Sequence, residues 1–168
     1  MSHHRINRMI EQSEMVRRVL KGYLTDLTPD QWFWTPGEGL THVAWQIGHL
    51  AASEYALLMK RVRGAEKADQ DFMPDAFFAQ YGRGSTPDPD PSANWPVDDI
   101  LLVFDDVHDR CMAAAADYDE AELVEPLEQP HPVFKTKLAA IEYQPIHEAM
   151  HIGQVVLLRR LMGKAASW

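Results

Sequence analysis

Cysteine is nearly absent: Cys111 is the only one in 168 residues. A single thiol cannot close an intrachain disulfide, so the fold must stand on its core, and a reducing compartment is the natural setting. Long apolar runs are missing as well. No stretch approaches the roughly 20 residues of a membrane span, and no cationic leader precedes an apolar segment, so we expect neither insertion nor export and a cytoplasmic location. Cations are scarce, with 16 Lys and Arg against 25 Asp and Glu and a formal net charge of -9. A phosphate backbone must be met by clustered Lys and Arg, and the absence of such a cluster argues against nucleic acid as a partner. Strand-like alternation and internal repeats are also lacking, which leaves helices as the building material.

Hydrophobic residues make up 46% of the chain, enough at this length to bury a core, and we expect one domain over residues 1–168. Residues 86–128 carry thirteen acidic side chains against one basic, Arg110. The segment reads as a solvated face that aids solubility, with an acidic docking surface as the alternative. His3 and His4 are read as a mobile terminus.

Four long helices emerge in order. Apolar positions from Ile6 to Leu24 recur at helical spacing with Arg and Glu between them, an amphipathic first helix. Thr28-Pro29-Asp30-Gln31 combines an N-cap, a first-turn proline and a glutamine three residues on, which starts a short helical turn. The second long helix is expected from near Thr41 to about Val62, with Glu54 the only charged residue between Leu40 and Met59, so neighbours should enclose it. The third spans Pro96 to Tyr118 on an Ile100, Val103, Phe104, Val107, Cys111 stripe. The last runs from Thr136 to Met162, closed by Gly163 and interrupted by Pro145, which should distort the turn before His147. Residues 63–95 form a long irregular connection in which Phe72, Phe77, Phe78 and Tyr81 predict a short packed helix, and Gly82 to Pro96 should be irregular. Asp119 to Leu127 reads as an acidic turn and Gln129-Pro130-His131-Pro132 as a break. The fold expected is an all-α four-helix bundle with a long connection between helices two and three.

The chemistry concentrates in PIHEAMHIGQVVLLRRLMG, residues 145–163. His147 and His151 are one turn apart on one face, and a stripe of Ala140, Tyr143, His147, His151, Gln154, Leu158 and Leu161 is expected to face inward. Imidazoles buried beside leucines need partners, and a divalent cation is one that two rings can share. His49 is the third candidate: it lies in the enclosed helix beside Gly48 and Ala52, on a face with Trp45, Ala52 and Ala56. Three neutral imidazoles suit zinc, nickel, copper, cobalt or iron and leave a coordination position open. Core histidines bonded to backbone or to Gln154 are the alternative. Glu54 is rotated about 140° from His49 and is a poor companion ligand.

The segments TPGEGLTHVAWQIGHLAASE and PIHEAMHIGQVVLLRRLMG resemble the two signature stretches of the DinB-like, bacillithiol-transferase-like (YfiT-like) superfamily of metal-binding four-helix bundles, over nearly the whole chain. The resemblance implies a divalent metal, usually zinc or nickel, held by His49, His147 and His151, and a homodimer. It also implies transfer of a low-molecular-weight thiol to an electrophile, since a metal that coordinates a thiol deprotonates it. The spelling of the last motif also fits a metalloprotease helix, but an all-helical setting and Pro145 argue against it.

Glu148, Gln154 and His108 are candidate catalytic residues, with solvent-facing, hydrogen-bonding and packing roles as the respective alternatives. His42 reads as a helix-start residue and Cys111 as a small core residue. Trp45 and residues 66–95 are expected to shape the pocket of a small-molecule substrate. Arg159 and Arg160 are the cations considered for a thiol's carboxylates, or else they simply face solvent at the helix end. A metal-dependent thiol S-transferase is the leading reading; a metal-dependent hydrolase and a non-enzymatic, stress-linked metal-containing binding or sensing protein are the alternatives.

Overall fold

The computed structural model describes residues 4–128 and 131–165. Residues His3, Gln129 and Pro130, read above as terminus and break, lie outside them. Four long helices carry the architecture: α1 (His4–Leu24), α2 (Val43–Tyr55, continued by Ala56–Lys60 and Arg61–Arg63), α3 (Val97–Ala116) and α4 (Lys137–Leu161). α1 packs along α4 and α2 along α3, and contacts of α1 with α3 and of α2 with α4 close the bundle. Among the described residues there is no strand, only an isolated antiparallel bridge between Pro126 and Thr136, and no helix is long and apolar enough to cross a membrane.

Local chemistry accounts for the helix ends. Thr136 Oγ1 accepts from the Ala139 N–H at 3.1 Å, and Gly163, at φ +78°, provides the left-handed residue after Leu161 that lets Lys164 N–H reach the Arg159 carbonyl at 3.0 Å. The Glu120 carboxylate accepts from the N–H groups of Arg5 and Ile6 at 2.8 and 3.0 Å, satisfying free donors at the start of α1 from across the chain. His4 therefore belongs to a helix.

His42 is the N-cap of α2. Its Nδ1 accepts the Trp45 N–H at 3.2 Å while Nε2–H donates to the Asp88 carbonyl at 2.8 Å, so the ring must be neutral to do both. Burial pushes its pKa below the ordinary value. A histidine lowered in the folded state contributes full stability above its unfolded pKa, near 6.5, and loses it as pH falls. The His42→Asn variant keeps a cap that cannot titrate. Its unfolding free energy should fall less steeply than the parent's from pH 6.5 to 5, by up to about 1.4 kcal/mol per pH unit. Parallel curves in denaturant titrations would exclude the mechanism.

Three expectations need correction. The buried line of α4 runs through Ile141, Gln144, Glu148, His151, Val155 and Leu158, whereas Gln154 and Leu161 are exposed and His147 sits at the line's edge. Polar side chains on that line are buried because they bond one another across the bundle, which a hydrophobicity stripe does not register. Arg159 does not face solvent: it is buried, and it donates to the Tyr23 carbonyl at 2.6 Å and to Asp26. The connection contains the short helix Asp75–Tyr81 and, in the part expected to be irregular, a 3₁₀ turn at Pro91–Ala93 capped by Asp90. Phe72 precedes that helix instead of belonging to it.

Candidate metal centre

The three histidine rings of two remote segments meet. His49 lies 5.0 and 5.5 Å, ring centre to ring centre, from His151 and His147, which are 4.5 Å from each other. One ring nitrogen from each falls within 4.8 Å of the others. His147 Nε2 and His151 Nε2 are 3.2 Å apart, close to the roughly 3.3 Å separating two ligands of a tetrahedral ion with Zn–N bonds of about 2.0–2.1 Å.

Partners fix which nitrogen two of the rings present. His49 Nδ1–H donates to the Tyr81 carbonyl at 2.8 Å, and His151 Nδ1–H donates to Gln46 Oε1. Both Nε2 lone pairs are thereby left for the centre, the arrangement that orients histidine ligands and sharpens their basicity. The Gln46 amide is itself held, since its Nε2–H donates to Gln154 Oε1 at 2.6 Å. Gln154 thus reaches the triad through Gln46 and not directly. Trp45 stacks flat against His49, 4.7 Å away with 6° between planes, and its Nε1–H is tied to Ser85 Oγ at 3.0 Å. Burial lowers all three imidazole pKa values, with neighbouring imidazoles adding to the effect at His147, about 4, and His151, about 3. Neutral rings are the ligand form, so the donor set fits a borderline divalent cation and adds no negative charge to it.

Gly48 holds the scaffold of His49 in register. A Cβ there would lie 2.5–2.9 Å from three ring atoms of Tyr81, the fully buried residue whose carbonyl orients His49. The close neighbour of Gly48 is therefore a connection residue and not another long helix. Gly48→Ala gains up to ~1 kcal/mol of helix propensity but overpacks by ~1–3 kcal/mol. A net loss of about 1–2 kcal/mol in chemical denaturation is expected, and a stabilised variant would contradict this packing.

The other candidates lie elsewhere. Glu148 is fully buried and turned onto Arg17, with Nε–Oε1 at 2.8 Å; His108 Nδ1 bonds Glu54 Oε1 at 2.8 Å. Both belong to a polar knot in the bundle interior. Cys111 is fully buried, and burial pushes its thiol up, away from thiolate chemistry.

A cavity of about 440 Å³ opens on two of the three histidines, His49 and His147, and is lined also by Ala52, Ala56, Phe78 and, unexpectedly, Arg61 and Arg83. Trp45 backs His49 and is not part of the wall. Ser53 Oγ, also in the lining, is 3.2 Å from His49 Nε2. Gln46, Ser53, Arg61 and Arg83 were not singled out from sequence. Gln46 had a signal: it is the amide three residues before His49 in an otherwise apolar stretch.

The family model described as the DinB superfamily matches residues 12–155. None of the curated proteins matches the chain.

Proposed function

From the premise that the chain belongs to the DinB superfamily, we propose that it is a metal-dependent enzyme that transfers a low-molecular-weight thiol to an electrophile. His49, His147 and His151 hold a divalent transition metal, zinc or nickel. The observation that carries this reading is the pair of Nδ1 anchors, Tyr81 carbonyl and Gln46, which commit His49 and His151 to presenting Nε2 beside His147 at the floor of a cavity. A site built for scaffolding alone closes four protein ligands around its ion; three imidazoles and a cavity suit exchange of a fourth.

A divalent ion bound there lowers the pKa of a thiol enough to make it a nucleophile at neutral pH. The protein's own residues do the rest. Trp45 stacked on His49 and the Gln46–Gln154 pair behind His151 keep the rings from turning away, and Phe78 and Phe134 exclude water from one wall of the cavity. Ser53 Oγ is placed to donate a hydrogen bond to a group bound beside His49. Glu148 takes no part, being committed to Arg17.

The test is turnover of a chromogenic halonitrobenzene by zinc- or nickel-loaded protein with a panel of small thiols. Activity that needs the thiol and falls to background in His147→Ala supports the transferase. Thiol-independent cleavage of ester substrates would favour a hydrolase, and tight stoichiometric metal without turnover would favour a binding or sensing protein.

A further inference from the structure

Two cations, Arg61 and Arg83, stand at the cavity beside His49 and His147, and none of the described residues lining that cavity is a carboxylate. Among the described residues neither arginine forms an ion pair; Arg8, Arg18 and Arg160 form none either, but only Arg61 and Arg83 line this cavity. In a chain with 25 acidic residues against 16 basic, two unpaired guanidinium groups facing the same cavity are not explained by a shortage of partners.

Their positions are built. Twelve steps of about 100° would set Arg61 about 120° from His49 on a regular helix. Residues Ala56–Lys60 instead form a π turn, which takes up one extra residue and brings Arg61 back to within about 30° of the His49 face. The half-buried Arg61 guanidinium then lies 5.6 Å over the Phe134 ring, and burial together with Arg83 pushes its pKa down. Arg83 comes from the connection and reaches His131 Nε2 at 3.2 Å. The His131 ring is itself stacked on Phe134, 3.8 Å away with 9° between planes. A second cavity, about 530 Å³, shares Arg61, Ala56 and Phe78 with the first and adds Lys60, Arg63 and Lys137 against one carboxylate, Glu128, so cations outnumber anions there as well. Arg61 stands where the two meet, so the groove has room for more than a minimal ligand.

We propose that Arg61 and Arg83 form a carboxylate-binding subsite, and that one reactant of this centre is an anion whose carboxylate is held by the two arginines while its reacting group points at His49 and His147. The guanidinium fork matches a carboxylate bidentately, and a half-desolvated site strengthens each charge-assisted bond. The subsite names a substrate class for the proposed transferase and rests on that reading only for the word substrate; the anion site itself stands on the cavity.

Three probes test it by calorimetry: succinate, mercaptosuccinate and neutral 2-mercaptoethanol, each with metal-free and zinc-loaded protein. Succinate should bind the metal-free protein, and Arg61→Gln or Arg83→Gln should weaken it roughly tenfold each without changing zinc stoichiometry. Mercaptosuccinate should bind zinc-loaded protein at least tenfold more tightly than 2-mercaptoethanol. Succinate binding unchanged in the double variant would overturn the subsite, whereas equal affinity for the two thiols would assign the carboxylate to the electrophile. Arg83 is exposed, so its variant alone keeps the test valid should Arg61→Gln fold poorly.

Kinetics separate the two sources of the carboxylate. If the thiol carries it, both variants raise KM for mercaptosuccinate with a neutral electrophile; if the electrophile carries it, they raise KM for a halonitrobenzoate with 2-mercaptoethanol. Either result supports the subsite. Absence of turnover with every thiol, alongside arginine-dependent succinate binding, would sink the transferase and leave the anion site standing.

Discussion

Replacing any one of His49, His147 or His151 with alanine should weaken zinc binding by roughly a hundred- to a thousandfold. The magnitude follows from the ~10–16 kcal/mol with which four-ligand zinc sites bind their ion. An equal share is about 2.5–4 kcal/mol per ligand, and 1.4 kcal/mol is a factor of ten. Rings 4.5–5.5 Å apart make the three substitutions near-equivalent. Gln46→Leu removes only the acceptor behind His151 and should cost 10–100-fold, the usual effect of a partner one bond removed from the ion. His42→Asn should cost nothing, because His42 faces Asp88 and the α2 N-terminus. Competition titrations against a chromophoric chelator rank all five variants. Parent-like affinity in the three alanine variants would place the metal elsewhere or nowhere.

The ranking also marks what could be read from the residues alone. His147 and His151 are legible because a helix repeats its face every three to four residues, and His49 because it lies beside Gly48 in an enclosed helix. The residues that orient and surround them are less so. Tyr81 acts through a backbone carbonyl, which side-chain identity does not advertise. Arg61 requires the π turn, and at a uniform 100° per residue it points elsewhere. The four long helices and the N-caps Thr136 and His42 follow from local pattern, since caps and amphipathic spacing act within a few residues. The inner face of α4 does not: Gln144 and Glu148 are buried by partners on other helices, and Arg17 on α1 stands at a position where periodicity expects an apolar residue.

Arg17→Met should be the most destabilising single change outside the site, at about 3–5 kcal/mol. Arg17 is 3% exposed, and Glu54 and Glu148 are 1% and 0%. Its Nη2 is 2.7 Å from Glu54, its Nε 2.8 Å from Glu148, and Nη1 donates to the Phe104 carbonyl at 2.9 Å, so one guanidinium joins all four long helices. Burial pushes the Glu54 carboxyl up, but Arg17 and His108 outweigh it and hold it below the ordinary range. Gln144 donates to both carboxylates at 2.9 and 3.1 Å. Removing the arginine strands two buried anions with one amide and one imidazole between them, a desolvation cost that no rotation can relieve. Against the roughly 5–15 kcal/mol of an ordinary domain, that is about a fifth or more of the total. Neutralising the stranded charges should therefore rescue the fold: Arg17→Met with Glu54→Gln and Glu148→Gln recovers much of the loss, because the cost lies in unpaired charge more than in missing attraction. Urea denaturation of the single and triple variants measures both. A loss below about 1 kcal/mol in Arg17→Met would mean that water reaches the carboxylates and that the knot adds little to stability.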